Sequence, residues 1–490
     1  MSLSRRRSLL ALAALLALAA ALRVPGLRYG LPFPLLSPDE ESIVPRAWEL
    51  VHGGGLDPGW YDYPTLLLEL LAPLQLPFDE PSYGAARAVA AAVGIGGVAA
   101  AWWLGRSAYG AAAGLLAGAA CAVSTVHVVY SHMAVTDVLL TTLVTVSLAL
   151  LVTGRLEWAG VAAGLAASAK YPGILVALPI VLVGWREWRR LAVAAGGALV
   201  AFALTSPFVL VHPGSAWDDI SRVQRLGRQG WLGFEDDPPT ALAFGERLWE
   251  ALGPCVLVAA AGLALAVGEL VLEQHKRRSR ARPEGLQKAR SPERREDLVL
   301  EQHKVADLAL ASFALVWFAQ LLPLDAHFDR YVLPLVPVLG ALAGRLPRLA
   351  PVALALLLVP LVWSVGEVRE LTRTDTRVVA RAWIEANVPA DALVAVEPST
   401  PPIEPRETIA LELPGPGRPS DENRDLDRLR SRGADYVLVT GAVADRVLAA
   451  AADYPREAAF YTALDTRAER VLYVAPGGDL GGPWVALYRL

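Results

Sequence analysis

The chain has almost no cysteine: two in 490 residues, Cys121 and Cys255, both inside apolar runs. That excludes a disulfide framework and a thiolate metal site, and leaves both as small buried hydrophobes. Charge is scarce as well. Only 19% of residues are charged against 54% hydrophobic, with a mean hydropathy of +0.39, which excludes an ordinary soluble enzyme. Lysine is the rarer cation, with four against 41 arginines. Three of the four, Lys276, Lys288 and Lys304, share one basic stretch, so Lys170 stands alone. A phosphate loop is missing too, since no helix is expected after "GGDLGG" at 477–482. The net charge of −4 decides little, because charge is segregated by region, and nucleic acid is not among the expected partners.

What the sequence does have is long apolar runs through its first 365 residues, then 125 residues of ordinary polar composition. The expected fold is a polytopic α-helical membrane domain, 1–365, followed by a soluble α/β domain, 366–490. About 11 spans are expected, at 8–24, 86–104, 111–129, 134–152, 158–169, 172–184, 191–210, 251–271, 306–323, 331–345 and 348–365. The pair 158–169 and 172–184 is short for two crossings and reads as a tight or re-entrant hairpin. Met1 to Leu22, with Arg5 to Arg7 ahead of an apolar core, resembles a signal peptide, and an uncleaved signal-anchor fits the pattern equally well. Basic clusters at Arg106, Arg155, "WREWRR" (185–190), 273–304 and "GRLPR" (344–348) share the N-terminal side, which the positive-inside rule makes cytoplasmic. The loops 25–85, 127–136, 211–249 and 324–330 and the C-terminal domain then lie on the outer face.

The inner loop 273–304 carries an internal repeat, "LVLEQHK" at 270–276 and 298–304, read as a duplication in a solvated basic segment beside anionic lipid. In the tail, helices are expected at 374–389, 424–433 and 442–453, and strands at "ALVAVEP", after Gly433, and near 470–474 and 484–489. The Pro-rich stretch 397–420 reads as a surface loop.

Ionisable residues in or beside spans are costly and mark function by default. "LLSPDEES" (35–42) has Ser37 as N-cap, Pro38 at the first helical position and Glu40 placed to close a capping box, which leaves Asp39 free as a general base. Asp39 and Glu40 are the catalytic candidates. In "WYDYP" (60–64), Asp62 and Tyr63 read either as an interfacial belt or as substrate contacts. Asp62, with His52, is also the candidate ligand set for a divalent cation, Mg2+ or Mn2+. Asp137 reads as a helix cap with Thr136 or as a site residue. Lys170, in "AASAKYPG", reads as a snorkelling cation or a phosphate contact. In "LDAHFDRYVLPLVP" (324–337), Arg330 and Tyr331 are candidates, with Asp329 as an alternative partner that neutralises Arg330. Arg222 and Arg225, at helical spacing with Arg228, read as a solvated face or a phosphate-facing stripe.

Taken in order, "PDE" (38–40), "YDYP" (61–64), "AVTD" (134–137), "GLAASAKYPG" (164–173), "RYVLPLVP" (330–337) and "ARAWIEANVP" (380–389) resemble the protein O-mannosyltransferase and lipid A aminoarabinose transferase group of C-type membrane glycosyltransferases. The resemblance implies transfer of a sugar from a polyprenyl-phosphate carrier to a protein, lipid or glycan acceptor on the outer face of the bacterial plasma (inner) membrane. It assigns the base role to Asp39. The sequence departs from the aminoarabinose pattern in having "DYP" for "EKP", so that Tyr63 replaces a lysine, and in lacking an arginine at Glu41 to Ile43. Because a phosphate is already a good leaving group, one carboxylate suffices, and the expected reaction is an inverting single displacement. The alternative is a transporter or flippase of lipid-linked sugars. It predicts paired half-repeats, and none is legible.

Overall fold

The computed structural model describes residues 3–33, 35–279 and 294–490. Helix α1 (Leu3–Arg23) leads into a connection that holds α2 (Pro38–Glu49) and α3 (Leu66–Gln75). Then come α4 (Tyr83–Tyr109), α5 (Ala111–Val123), α6 (Thr125–Tyr130), α7 (Thr136–Val152) and α8 (Leu156–Ala169). A 3-10 segment, Tyr171–Val176, joins α8 to α9 (Ala177–Gly184). The remaining helices of this part are α10 (Trp188–Thr205), α11 (Pro207–Val211), α12 (Pro213–Gln229), α13 (Thr240–Leu252), α14 (Cys255–Ser279), α15 (Arg294–Leu321), α16 (Leu335–Ala343), α17 (Ala350–Leu356) and α18 (Leu358–Leu371).

Among the described residues, five stretches are long and apolar enough to cross a membrane: Tyr83–Tyr109, Trp188–Thr205, Cys255–Leu272, Gln302–Leu321 and Pro347–Leu371. Of the other expected spans, 8–24 falls largely in the 21-residue α1, and the rest coincide with shorter helices or pairs of them, as at α5–α6 and α9. The helices pack around a large apolar cluster that includes Leu104, Leu116, Leu140, Leu148, Phe313 and Leu342, with a smaller one at Leu22, Val128 and Val368. Small residues set the closest approaches. A Cβ at Gly160 or Gly164 would collide with the backbone of Ala194 or Ala198, so α8 and α10 meet nearly backbone to backbone.

The expected loop 273–304 is partly helix: α14 runs on to Ser279 and α15 begins at Arg294, while 280–293 lie outside the described residues. Both copies of "LVLEQHK" therefore extend apolar helices, because Leu, Glu, Gln and Lys are good helix formers and no breaker intervenes.

The tail forms an α/β unit. In chain order it contains β1 (Thr374–Asp375), α19 (Thr376–Asn387), β2 (Val394–Val396), β3 (Thr408–Ala410), α20 (Leu426–Ser431), β4 (Tyr436–Thr440), α21 (Gly441–Ala449), α22 (Pro455–Arg467), β5 (Glu469–Val474), β6 (Leu480–Gly481) and β7 (Val485–Arg489). The main sheet has the order β3-β2-β4-β7-β5, parallel among β3, β2 and β4 and antiparallel at β7 and β5. Strand alternation divides its core. Val437, Val439, Ala486 and Tyr488 pack with α20, α21 and α22, while Leu438, Val485 and Leu487 pack with Ala380 and Ile384 of α19. Four elements depart from expectation, two of them the short β1, which takes the start of the expected helix 374–389, and its partner β6. Strand β3 lies inside the Pro-rich 397–420 stretch, where Thr408–Ala410 pairs with β2, and α22 starts on Pro455 at its first turn.

Candidate active site

Five separate segments meet at the candidate site. Helix α2 begins as its sequence dictates: Ser37 has extended backbone, its hydroxyl accepts the Asp39 N–H at 3.3 Å, and Pro38 occupies the first turn. Glu40 does not close the capping box. Its carboxylate accepts both Nε (2.9 Å) and Nη2 (2.7 Å) of Arg87 and the backbone N–H of Ala134 (2.9 Å), and both partners of the ion pair are fully buried. A bidentate charged pair outcompetes a single local backbone bond, so Glu40 anchors α2 to α4 and to the residues before α7. With both oxygens engaged, Glu40 is a structural residue here and not the second catalytic carboxylate expected.

Asp39 is held differently. Its Oδ2 accepts Nη1 of Arg330 at 2.6 Å and the hydroxyl of Tyr63 at 3.2 Å, with the carboxylate about a fifth exposed (22%). The Asp329 carboxylate does not neutralise the Arg330 guanidinium. It accepts the backbone N–H of Arg330 and the hydroxyl of Tyr130, both at 2.8 Å, which fixes the backbone and frees the guanidinium. Asp137 is not a cap either. The N-cap of α7 is Val135, with no side-chain capping bond, and Asp137 Oδ1 accepts Nζ of Lys170 at 2.7 Å. The Lys170 ammonium lies 5.3 Å and 5.6 Å from the ring centroids of Tyr63 and Tyr331, so it is caged rather than snorkelling. Asp39, Tyr63, Asp137, Lys170, Arg330 and Tyr331 thus form one connected cluster.

A cavity of about 70 Å³ adjoins it, lined by Asp137, Lys170, Arg330, Tyr331, Trp317 and Gln320 among others. Several buried polar atoms here have no partner, namely Nε of Arg330, Oδ2 of Asp137 and the Thr141 hydroxyl. Burial acts to raise the Asp39 carboxyl, but the Arg330 and Lys170 charges outweigh it, and Asp39 sits below the usual carboxylate range. For Lys170, desolvation outweighs Asp137 and lowers the ammonium from its ordinary value. Burial and the Asp39 charge push the Tyr63 hydroxyl well up, which keeps it a donor.

The other candidates stand apart. Asp62 pairs with Arg222, which also holds Asp219 at 3.0 Å, and Arg225 is exposed on α12. These contacts tie α12 to the 57–62 loop, aided by Tyr61 N–H to Asp219 (2.9 Å) and Tyr171 to Tyr61 O (2.9 Å), and so position Tyr63. His52 stacks on Trp48 at 4.2 Å and bonds its carbonyl. Among the described residues no group of three or more His, Cys, Asp or Glu side chains could hold a metal ion. Asp62 with an arginine for its partner and His52 turned onto Trp48 do not fit the expected cation. Sequence reasoning missed Arg87 and Gln320. Each leaves a signal, a polar residue inside an otherwise apolar run.

Residues 60–289 match the family model of glycosyltransferase family 87, a range that includes Tyr63, Asp137 and Lys170 but neither Asp39 nor Arg330. Among solved structures, the chain is similar to ArnT from Cupriavidus metallidurans bound to undecaprenyl phosphate, with 14% identity over 98% of this chain and 97% of that one and a TM-score of 0.56. It is also similar to the oligosaccharyltransferase of Archaeoglobus fulgidus in complex with Zn and sulfate, with 15% identity, 91% and 70% coverage and a TM-score of 0.55. The archaeal oligosaccharyltransferase AglB from the same organism, in complex with an inhibitory peptide and a dolichol-phosphate, matches at 12% identity, 94% and 72% coverage and a TM-score of 0.58. No curated protein matches by sequence. At such identities the likeness establishes the fold. The chain is an integral membrane protein with the C-type glycosyltransferase fold.

Proposed function

We propose that the chain is an inverting glycosyltransferase that moves a sugar from a polyprenyl-phosphate carrier to an acceptor hydroxyl on the outer face of the membrane. The observation that carries this reading is the contact of Asp39 with Arg330 and Tyr63 beside Lys170, where Arg330 and Lys170 also line a small cavity. A carboxylate ringed by cations suits a reaction in which one anion takes a proton while another departs. The match to glycosyltransferase family 87 supports the reaction class, and the polyprenyl and dolichol phosphates bound to the similar structures support the donor class.

Asp39 accepts the proton of the attacking hydroxyl. Lys170 and Arg330 stabilise the phosphate as the sugar leaves. Tyr63 orients Asp39 through its hydrogen bond. Attack on the face opposite the phosphate inverts the anomeric centre. The distribution of basic residues supports a cytoplasmic N-terminus, with the 25–85 loop and the 366–490 domain outside. No step here runs through a metal.

The test is transfer from labelled polyprenyl-phosphate sugars by purified protein, wild type beside Asp39→Asn. The expected result is a loss of about 10²–10⁴-fold in kcat, the range for removal of a general base. Normal transfer by Asp39→Asn would remove Asp39 from the chemistry, and a product with retained anomeric configuration would overturn the single displacement.

A further inference from the structure

We propose that Arg330 is the charge carrier between base and leaving group: its guanidinium neutralises Asp39 before transfer and the carrier phosphate after it. This rests on the reading of Asp39 as base and of the adjoining cavity as the phosphate seat. Two ends of one guanidinium present different faces. Nη1 donates to Oδ2 of Asp39 at 2.6 Å, whereas Nε is buried with no acceptor, and Arg330 lines the cavity beside Lys170. The backbone beneath is fixed. Asp329 accepts the Arg330 N–H, Tyr130 holds Asp329, and Trp317 Nε1 donates to the carbonyl of Tyr331 at 2.8 Å. The ring of Phe328, 5.0 Å from the guanidinium carbon, supports the side chain. Only the side chain of Arg330 need adjust to change partner.

The chemistry requires such a partner change. The acceptor O–H bond breaks and its proton goes to Asp39. The acceptor oxygen bonds to the anomeric carbon, and the bond from that carbon to the phosphate oxygen breaks with its electron pair left on the phosphate. Asp39 loses one negative charge and the phosphate gains one, so the total is constant while its position shifts across Arg330. Two independent cations would each be stranded at one stage, and a buried unpaired charge is costly. Lys170 cannot serve in this way, because Asp137, which takes no part in the proton transfer, holds it throughout.

A consequence follows for binding alone. Asp39 and a carrier phosphate compete for Arg330, so removing the Asp39 charge strengthens phosphate binding, and only when Arg330 is present. Calorimetric titration of full-length protein in phosphatidylcholine nanodiscs with undecaprenyl phosphate tests this in wild type, Asp39→Asn, Arg330→Gln and the double variant. Asp39→Asn is expected to bind about tenfold more tightly than wild type, within the usual range of a coupling between sites. In the Arg330→Gln background the same substitution is expected to change affinity by less than about twofold. Arg330→Lys, which keeps the charge but not the two-ended fork, is expected to lose most of the gain. Equal affinity of Asp39→Asn and wild type would overturn the proposal, and so would an undiminished gain in Arg330→Gln, which would signify a general field effect. Failure of every variant to bind undecaprenyl phosphate would instead sink the phosphate seat, and with it the glycosyltransferase reading.

Discussion

At the residue scale, Asp39 and Glu40 are neighbours with opposite surroundings. Glu40 is sealed against Arg87 and satisfied by three donors, and Asp39 is partly open and shared between a cation and a phenol. Removing one partner of a sealed pair strands the other. Glu40→Ala is expected to cost about 3–5 kcal/mol of stability, and Glu40→Ala with Arg87→Met to recover much of it. Thermal unfolding in detergent measures both, and an unchanged midpoint for Glu40→Ala would show that the pair does not anchor α2. Asp39 supplies a pH prediction whose sign follows from its lowered pKa. In the proposed base role its ionised form is the active one, and that form persists below the ordinary aspartate value of about 4, so kcat/KM should hold as pH falls to that value. In Arg330→Gln the main force lowering the pKa is gone, and the acid limb should move to higher pH. The same depression makes the ion pair stabilising above the unfolded-state pKa, with that contribution lost as pH falls through the folded one.

Among the elements, α8 and α10 show how composition becomes packing. Glycines at 160 and 164 give α8 a flat face, and α10 presses its own backbone against it. Gly196, on α10, has nothing within 4 Å of where a Cβ would be. The two sites therefore respond to alanine with opposite signs. Gly160→Ala should destabilise by about 1–3 kcal/mol through overpacking. Gly196→Ala should be neutral or stabilising by about 0.5–1 kcal/mol, because it only removes backbone freedom. Matched thermal melts decide this, and equal shifts at both sites would contradict the close approach. Lys170 depends on the same elements. It follows the last residue of α8, and its position is set by how α8 and the following 3-10 segment pack against α7, which carries Asp137.

For the whole molecule, the segment after α12 joins the two parts of the chain. Leu232 is 1% exposed within the apolar cluster of the tail's α/β unit, and Arg446 donates to its carbonyl at 3.3 Å. Tyr454 donates to Glu235 at 2.6 Å, and the Gly227 carbonyl accepts the N–H groups of Asp325 and Ala326, a few residues before Arg330. Leu232→Ala is expected to cost about 2–5 kcal/mol locally, read as faster amide exchange across 436–449, and unchanged exchange there would contradict the docking. The sequence alone determined the helical apolar part, the α/β tail and the chemistry-bearing residue types, because periodicity, caps and the cost of charge in lipid are local properties. Ser37 and Pro38 announce the start of α2, and Lys170 is conspicuous in an apolar setting poor in lysine. Only the tertiary structure decided which carboxylate is anchored and which stands at the site. It also sent the Arg330 guanidinium to Asp39, 291 residues away in sequence, rather than to its neighbour Asp329. A side chain's partner depends on what folding brings within hydrogen-bond reach and on what burial leaves unsatisfied, and neither is written in the spacing of residues along the chain.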